Sequence, residues 1–293
     1  MSNAAVDAAY GLGWALTRRL PEPVAQAAFA RVGDQIWRRG GRGVQRLRAN
    51  LRRARPEAGD AELDTLTRAA VRSYLRYWCE AFRLPVWSRA QVLERIVVHD
   101  EHLLRDAYAE GRGVVVPLPH LANWDLAGAW ACLTGMPLTT VAERLEPERL
   151  FQRFVAYRER LGMEVLPLTG GEASPLRTLC DRARGGRLIC LVADRDLTAT
   201  GLQVRLLGAP ARLPGGPAMV ARTTGAALVP ATLAYEGPRL HITIHPPVEH
   251  VAGREGIRAM TQRVADAFTR GIRAHPQDWH MLQTVFVDDL DPR

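Results

Sequence analysis

From Glu94 onward, short apolar runs alternate with stretches in which apolar residues recur every three or four positions. This alternation predicts strands that alternate with helices, and therefore an α/β fold with a mostly parallel central sheet flanked by helices. The runs that read as strands are IVVH, GVVVPL, PLTTVA, EVLPL, LICLVA, QVRLL, ALVPATLAY and LHITIH. The short stretch GAPARLPGGP, which is rich in proline and glycine, is expected to be a loop.

The first 93 residues follow a different pattern. Their helical periodicity, punctuated by four prolines, predicts an all-helical N-terminal segment. A chain of 293 residues is near the upper limit for one hydrophobic core. We therefore expect one domain over residues 1–293, in which residues 1–93 are helical and residues 94–293 form an α/β core.

The charge of the chain indicates an anionic partner. All 39 basic residues are arginine, and against 31 acidic residues they give a net charge of +8. Many of them fall in IWRRGGRGVQRLRANLRRARPEAG, where Trp37, Val44, Leu47 and Leu51 recur at helical spacing. This pattern suits an amphipathic helix at an anionic membrane surface, and equally a surface that binds nucleic-acid phosphates. A coding bias toward arginine would also explain the composition without any partner.

Several classes of protein are disfavoured. No apolar run approaches the roughly 20 residues that span a bilayer, and the N-terminus lacks the basic region that opens a cleaved signal. The four cysteines are scattered without paired spacing, which predicts reduced core residues. His275 and His280 in HPQDWH lack a convincing third ligand, so we expect no metal site.

The segment VVVPLPHLANWDLAGAW is the strongest candidate for a catalytic site. His120 follows a buried strand, at the sheet edge where α/β proteins bind their ligands, and Asp125 lies five residues further on. If Asn123 begins the next helix, the Asp125 carboxylate is expected to accept a hydrogen bond from one ring nitrogen, leaving the other free as a base. The same residues would also suit a simple helix cap.

Other polar residues are candidates for binding. Asp194, Arg195 and Asp196 follow the strand RLICLV, and so belong to the same sheet edge as His120, although a turn with capping carboxylates would look alike. A second set, at the start of a predicted helix, would suit a phosphate or pyrophosphate group and consists of Arg212, Gly215 and Gly216.

The order of several sequence blocks resembles a known family. The H-x-x-x-x-D pattern of His120 and Asp125 is similar to the signature of the glycerolipid and lysophospholipid acyltransferases. HLANWDLAGAW, VAERL, YRERLGMEVLPL, LVADRD and HPQDWHMLQTVF together resemble its lipid A acyltransferase branch, and within that branch the phosphatidylinositol mannoside acyltransferases of actinobacteria. The chain departs from many glycerolipid acyltransferases by having Pro119 where they carry asparagine and by lacking their F-P-E-G block.

The resemblance implies an enzyme and its substrates. It implies transfer of a long acyl chain, typically palmitoyl, from acyl-CoA to the 6-hydroxyl of a mannose on phosphatidylinositol mannoside, by direct attack and without an added cofactor. His120 would be the base and Asp125 its orienting partner, Asp194 would lie near the sugar, and Glu143 and Arg158 would pair to shape the acceptor site. An exposed ion pair is the alternative for those last two residues.

The resemblance also implies a location. We expect a peripheral protein on the cytoplasmic face of the plasma membrane, held by its helical segment, with no nucleic-acid partner. A sibling acyltransferase with another glycolipid or a lysophospholipid acceptor remains an alternative, as does a non-enzymatic binder of anionic membranes or nucleic acid. The small residues of LAGAWACL are expected either to line an acyl tunnel or to pack closely on the sheet.

Overall fold

The computed structural model of the chain describes residues 13–14, 16–143, 148–169, 174–196, 201–253 and 255–289. Most of the N-terminal stretch that was considered as a signal lies outside these residues, as do residues 144–147, 170–173 and 197–200. Among the described residues no helix is both long and apolar enough to cross a membrane.

The N-terminal part of the described chain is helical, as predicted. Its four complete helices are α1 (Glu22–Arg39), α2 (Arg42–Ala54), α3 (Asp60–Arg83) and α4 (Arg89–Glu94). The first strand begins at Ile96, so the change from helices to the α/β part falls close to the predicted position.

The arginine-rich stretch forms two helices rather than one. Gly40 has a left-handed conformation with φ of 58°, which ends α1 and turns the chain into α2. Val44, Leu47 and Leu51 of α2 are buried in a small core cluster with residues of α3. The expectation that these apolar residues face a membrane is therefore wrong, because the face packs against the protein itself.

The α/β part contains ten described strands, and the larger sheet is parallel throughout. Its order is β4-β3-β5-β2-β8. A three-stranded mixed sheet has the order β1-β10-β9, and β6 and β7 form an antiparallel pair. The strands are β1 (Ile96–His99), β2 (Val114–Leu118), β3 (Leu138–Ala142), β4 (Glu164–Pro167), β5 (Leu188–Val192), β6 (Leu202–Leu206), β7 (Ala209–Leu213), β8 (Ala227–Leu228), β9 (Ala231–Glu236) and β10 (Arg239–Ile244).

Helices cover both sheets, so the predicted fold class is confirmed. The helices of this part are α5 (Glu101–Ala109), α6 (Trp124–Leu133), α7 (Glu148–Arg160), α8 (Pro175–Arg184), α9 (Gly216–Thr224) and α10 (Gly256–Ala274). Every residue of β2 is buried, as expected for a central parallel strand. The four cysteines are free thiols.

Two local predictions need correction. The stretch predicted as a loop contains β7, which pairs with β6 in a hairpin turned at Leu207 and Gly208, both with positive φ. The run ALVPATLAY holds two strands, because Val229 and Pro230 separate β8 from β9. Proline lacks the amide hydrogen that a continuous ladder requires.

Candidate active site

His120 lies in a loop that other parts of the chain hold in place. β2 ends at Leu118, and Asn123 caps α6 by accepting a hydrogen bond from the Leu126 amide at 2.9 Å. Between them Ala122 has a φ of 46°, and its amide donates to the Asp278 carbonyl at 2.9 Å. The His280 amide donates to the His120 carbonyl at 2.8 Å. The C-terminal segment therefore fixes the backbone on which His120 is carried.

The carboxylate that contacts His120 is Asp194. His120 Nδ1 lies 2.5 Å from Asp194 Oδ1, and the His120 amide donates to Oδ2 at 2.9 Å. Trp279, which is fully buried, donates its Nε1 hydrogen to the same Oδ2 at 2.8 Å. Burial by itself raises the pKa of the Asp194 carboxyl, but the charge of His120 and these hydrogen bonds hold that pKa below its ordinary value. An ionised carboxylate in this position fixes the tautomer of His120 with its hydrogen on Nδ1, which leaves Nε2 as an acceptor.

Asp125 has a different partner from the one predicted. Its carboxylate accepts from Arg158 Nε at 2.7 Å and from the Tyr77 hydroxyl at 3.0 Å, and its side chain is 2% exposed. Burial lowers the pKa of Arg158, but the Asp125 carboxylate outweighs this and raises it overall. The predicted hydrogen bond between Asp125 and His120 is wrong, because the first turn of α6 directs the carboxylate to α3 and α7.

The predicted pair of Glu143 and Arg158 is wrong. Arg158 is hydrogen-bonded to Asp125, and Glu143 accepts from Arg195 Nη2 at 3.1 Å instead. Arg195 Nε is buried and has no hydrogen-bond partner in the part of the chain that the structure describes. Asp196 accepts from the Gly201 amide at 2.8 Å, which bridges the two ends of its loop.

The predicted phosphate site is only partly assembled. Gly216 begins α9 and lines a groove together with Glu143, Arg195 and Asp196. Arg212, on β7, and Gly215 are not among the residues that line this groove or the cleft beside His120. A Cβ on Gly215 would approach Leu202 Cδ1 to 2.9 Å, so close packing accounts for that glycine.

An open cleft of about 390 Å³ lies beside His120. Its walls carry aromatic side chains together with Arg158, Arg195 and His280; the aromatic residues are Tyr74, Tyr77, Trp78, Trp124, Phe151 and Phe154. A second, mostly apolar cavity lies between α6 and the sheets, lined by Ala127, Gly128 and Ala131 among others. Trp124 and Arg158 border both spaces, so the cleft and the cavity meet next to His120.

Sequence reasoning missed three residues of the site. His280 was considered only as a metal ligand, and neither Trp279 nor Ser73 was a candidate. Ser73 lies on α3 and bonds to Asp278 and His280. The signal that could have found them is the block HPQDWHMLQTVF, which was used for its resemblance and not for its side chains. In the described part of the chain no group of three His, Cys, Asp or Glu side chains is arranged to hold a metal ion.

A model of the bacterial lipid A biosynthesis acyltransferase family matches residues 1–287. The chain belongs to this family. It is 44% identical over 290 residues to the phosphatidylinositol mannoside acyltransferase of Mycolicibacterium smegmatis, with 99% of this chain and 94% of the relative covered. It is 45% identical over 293 residues to the protein of the same name from Mycobacterium tuberculosis, with 99% and 91% covered. The resemblance drawn from the sequence blocks is thereby confirmed.

Proposed function

We propose that this acyltransferase moves a long fatty acyl chain, typically palmitoyl, from acyl-CoA to the 6-hydroxyl of a mannose on phosphatidylinositol mannoside. The observation that carries the proposal is the pair of His120 and Asp194, in an aromatic-walled cleft that shares Trp124 and Arg158 with an apolar cavity. Relatives at 44% and 45% identity are named phosphatidylinositol mannoside acyltransferases, which supports the class of acceptor.

The reaction needs a base at the hydroxyl and an acid at the leaving thiolate. His120 Nε2 takes the proton of the hydroxyl as its oxygen attacks the thioester carbonyl carbon. The resulting tetrahedral intermediate collapses by breaking the carbon–sulfur bond, and the His120 imidazolium gives its proton to the CoA thiolate. Asp194 stabilises the imidazolium through Nδ1 and keeps the ring oriented in both steps. No acyl-enzyme is formed on this route.

We propose that the acyl chain enters the apolar cavity, which has a volume of about 90 Å³ and would have to widen to take all sixteen carbons. Each methylene moved out of water contributes about 0.8 kcal/mol, so a palmitoyl chain gains on the order of 10 kcal/mol before the cost of ordering it. The chain would enter tail first past Trp124, which brings the thioester to the cleft.

Arg195 is the cation best suited to an anionic group of either substrate. Arg158 is held in a buried pair with Asp125, whereas Arg195 pairs through Nη2 with the exposed Glu143 and its Nε has no hydrogen bond to any described residue. Arg195 also lines both the cleft and the adjacent groove. We propose that it binds a phosphate of the donor or the acceptor, with Gly216 and Asp196 bordering the same groove.

We propose that α1 contacts an anionic membrane, in place of α2. Val24, Val32 and Ile36, here called the α1 stripe, lie on one face of the helix and are 51%, 50% and 36% exposed. Arg31 lies about two helical turns after Val24, and Arg39 lies the same distance after Val32. Both arginines are exposed. Apolar residues flanked by cations are the arrangement that binds an anionic interface peripherally.

The proposed reaction is tested by transfer assays with radiolabelled palmitoyl-CoA and a panel of mannoside, glycolipid and lysophospholipid acceptors. Wild-type protein should acylate a phosphatidylinositol mannoside in preference to the others. His120→Ala should lose roughly 100- to 10,000-fold in turnover, because that is the range a general base contributes. Asp194→Asn should be nearly as severe, while His102→Ala, which changes an exposed histidine, should be unaffected. Near-normal turnover by folded His120→Ala would refute the mechanism, and preference for another acceptor would refute the substrate.

A further inference from the structure

His280 carries a buried polar atom that has no partner among the described residues. Its side chain lines the cleft beside His120, yet the residue is 4% exposed and Nδ1 makes no hydrogen bond to any of those residues. A buried acceptor or donor that is left unpaired destabilises the folded protein, so native structures rarely keep one without a reason.

The hydrogen bond of the other ring nitrogen, Nε2, shows whether Nδ1 is a donor or an acceptor. Ser73 Oγ donates its one hydrogen to Asp278 Oδ1 at 2.6 Å, where the carboxylate also accepts from the Tyr235 amide at 2.8 Å. His280 Nε2 lies 3.0 Å from the same Ser73 oxygen. Since the hydroxyl has already used its hydrogen, the bond to His280 requires Nε2–H as donor. A neutral ring with hydrogen on Nε2 has a bare acceptor at Nδ1.

The ring stays neutral at physiological pH. Burial, with a smaller contribution from the nearby charge of His120, lowers the pKa of His280 to about 3, while Asp194 acts in the opposite direction. No side chain in the described part of the chain donates a hydrogen to Nδ1. The hydroxyl of Tyr77 donates to Asp125 and that of Ser73 donates to Asp278. The missing partner of Nδ1 is therefore a donor that is absent from the chain's described part.

His280 and His120 are neighbours in the cleft. The His280 amide donates to the His120 carbonyl at 2.8 Å, and both rings pack against Trp124, with centroid distances of 6.3 and 5.4 Å. The cleft thus holds two imidazoles, each with one nitrogen fixed by a protein partner. Two adjacent acceptors of this kind match a ligand that carries two neighbouring hydroxyl groups.

We propose that His280 Nδ1 accepts a hydrogen bond from a second hydroxyl of the sugar acceptor, next to the hydroxyl whose proton passes to His120 Nε2. This inference rests on the proposed function and adds a residue that determines acceptor specificity. His280 acts by binding and takes no proton. An acceptor without that hydroxyl leaves Nδ1 unpaired in the bound complex and is rejected for that reason.

Two variants separate this role from a structural one. The amide group of asparagine reaches the position of Nδ1, and that of glutamine reaches the position of Nε2. His280→Asn keeps an acceptor for the substrate and loses the bond to Ser73, whereas His280→Gln keeps the bond to Ser73 and loses the acceptor. We expect His280→Gln to raise the KM for the mannoside roughly 10- to 100-fold, the order of effect of an unpaired buried hydrogen-bonding group. The KM for palmitoyl-CoA should be unchanged in both, and His280→Asn should stay close to wild type for the mannoside. Impairment of His280→Asn alone would mean that His280 serves only to hold Ser73.

Monodeoxy mannosides test the inference on wild-type protein. One deoxy acceptor should lose activity with wild-type enzyme and suffer no additional loss with His280→Gln; equal additive losses for every deoxy acceptor would overturn the inference. The ¹⁵N shifts of labelled histidine give a further check, since His280 should have the hydrogen on Nε2 throughout pH 5 to 9. The opposite tautomer would also overturn it. If the wild-type enzyme acylates no mannoside but does acylate another acceptor, the proposed substrate fails, and the tautomer measurement still decides whether Nδ1 is an acceptor.

Discussion

The central histidine takes its carboxylate from the neighbouring strand and not from its own motif. Asp125 is close in sequence, and the spacing from His120 made a local hydrogen bond reasonable. Asp194 is 74 residues away, but β2 pairs with β5 in a register that sets Leu118 beside Val192. Two residues beyond each, the chain reaches His120 and Asp194. The pairing therefore depends on strand order, which no local spacing reveals.

Asp125 should matter for stability more than for chemistry. It lies in a buried pair with Arg158, so Asp125→Asn leaves an uncompensated buried cation. Removing one partner of such a pair typically costs about 3–5 kcal/mol. We expect urea unfolding to show a loss of this order, and activity per folded molecule to fall less than in Asp194→Asn.

A matched control for that variant is Asp181→Asn. It breaks an exposed pair with Arg184, which should cost under about 1 kcal/mol because solvent screens it. Equal losses for Asp125→Asn and Asp181→Asn would show that the buried pair has no special role.

The small residues of α6 pack closely and also line the apolar cavity. Gly128 lines the cavity and also packs closely, because a Cβ there would approach the flexible end of Met163, at Cε, to 2.6 Å. Ala127 and Ala131 line the apolar cavity, so small side chains at those positions leave space for a ligand. The sequence LAGAWACL shows that α6 carries small residues, but it does not show which of them face the sheet and which face the cavity.

Large side chains in the cavity should shorten the preferred acyl chain. Ala127→Trp and Ala131→Trp fill space that the distal methylenes of palmitoyl would occupy, and each methylene that is excluded loses about 0.8 kcal/mol. Competition assays with C8 to C18 acyl-CoAs should show a shift toward shorter donors, with little change in the KM for the mannoside. Ala259→Trp, at an exposed position on α10, should keep the wild-type profile. An unchanged profile in both cavity variants would mean that the acyl chain binds elsewhere.

Membrane binding should depend on α1. Val32→Glu and Ile36→Glu introduce charge into the α1 stripe, so both should reduce flotation with anionic liposomes. Added salt should weaken the wild-type interaction, since charges in 0.15 M salt act over only about 8 Å. Met219→Glu changes an exposed apolar residue on α9 and should float like wild type. If flotation does not depend on salt, on anionic lipid or on either stripe variant, the α1 stripe is excluded as the membrane-binding surface.

The sequence predicted the architecture of the whole molecule better than its contacts. The apolar runs predicted the parallel sheet because central strands such as β2 are apolar throughout. β7 was missed, because Ala209 and Pro210 have low strand propensity and form a strand only through pairing with β6. The amphipathic pattern of α2 was predicted, but periodicity cannot show whether its apolar face packs against a membrane or against α3 of the same chain. The candidate site was found in part because His120 and Asp194 end predicted strands, whereas His280 and Ser73 meet only through the tertiary fold.

The two buried histidines should make the molecule less stable in mild acid. The folded-state pKa of His280 is lowered to about 3 and that of His245 to about 4, in each case chiefly by burial, whereas an unfolded chain has a histidine pKa of about 6.5. As the pH falls below about 6.5 the unfolded state binds protons that the folded state does not, so the free energy of unfolding decreases. Between pH 7 and 5 the loss is up to about 2 kcal/mol for His280, and less for the more accessible His245.

This loss can be isolated by comparing slopes against pH. Urea unfolding at pH 7, 6 and 5 should give a shallower pH dependence for His280→Asn and for His245→Asn than for wild type, whatever their stability at pH 7. His102→Asn replaces an exposed histidine and should retain the wild-type slope. The window separates these groups from Asp194 and Glu164, whose lowered pKa values place their contribution at lower pH. Burial raises the pKa of Asp278, so that carboxyl contributes with the opposite sign. If His280→Asn kept the full wild-type slope, the ring would have to accept a proton in the folded state. Its Nδ1 would then be a donor, and the assignment of a substrate hydroxyl to that atom would fail with it.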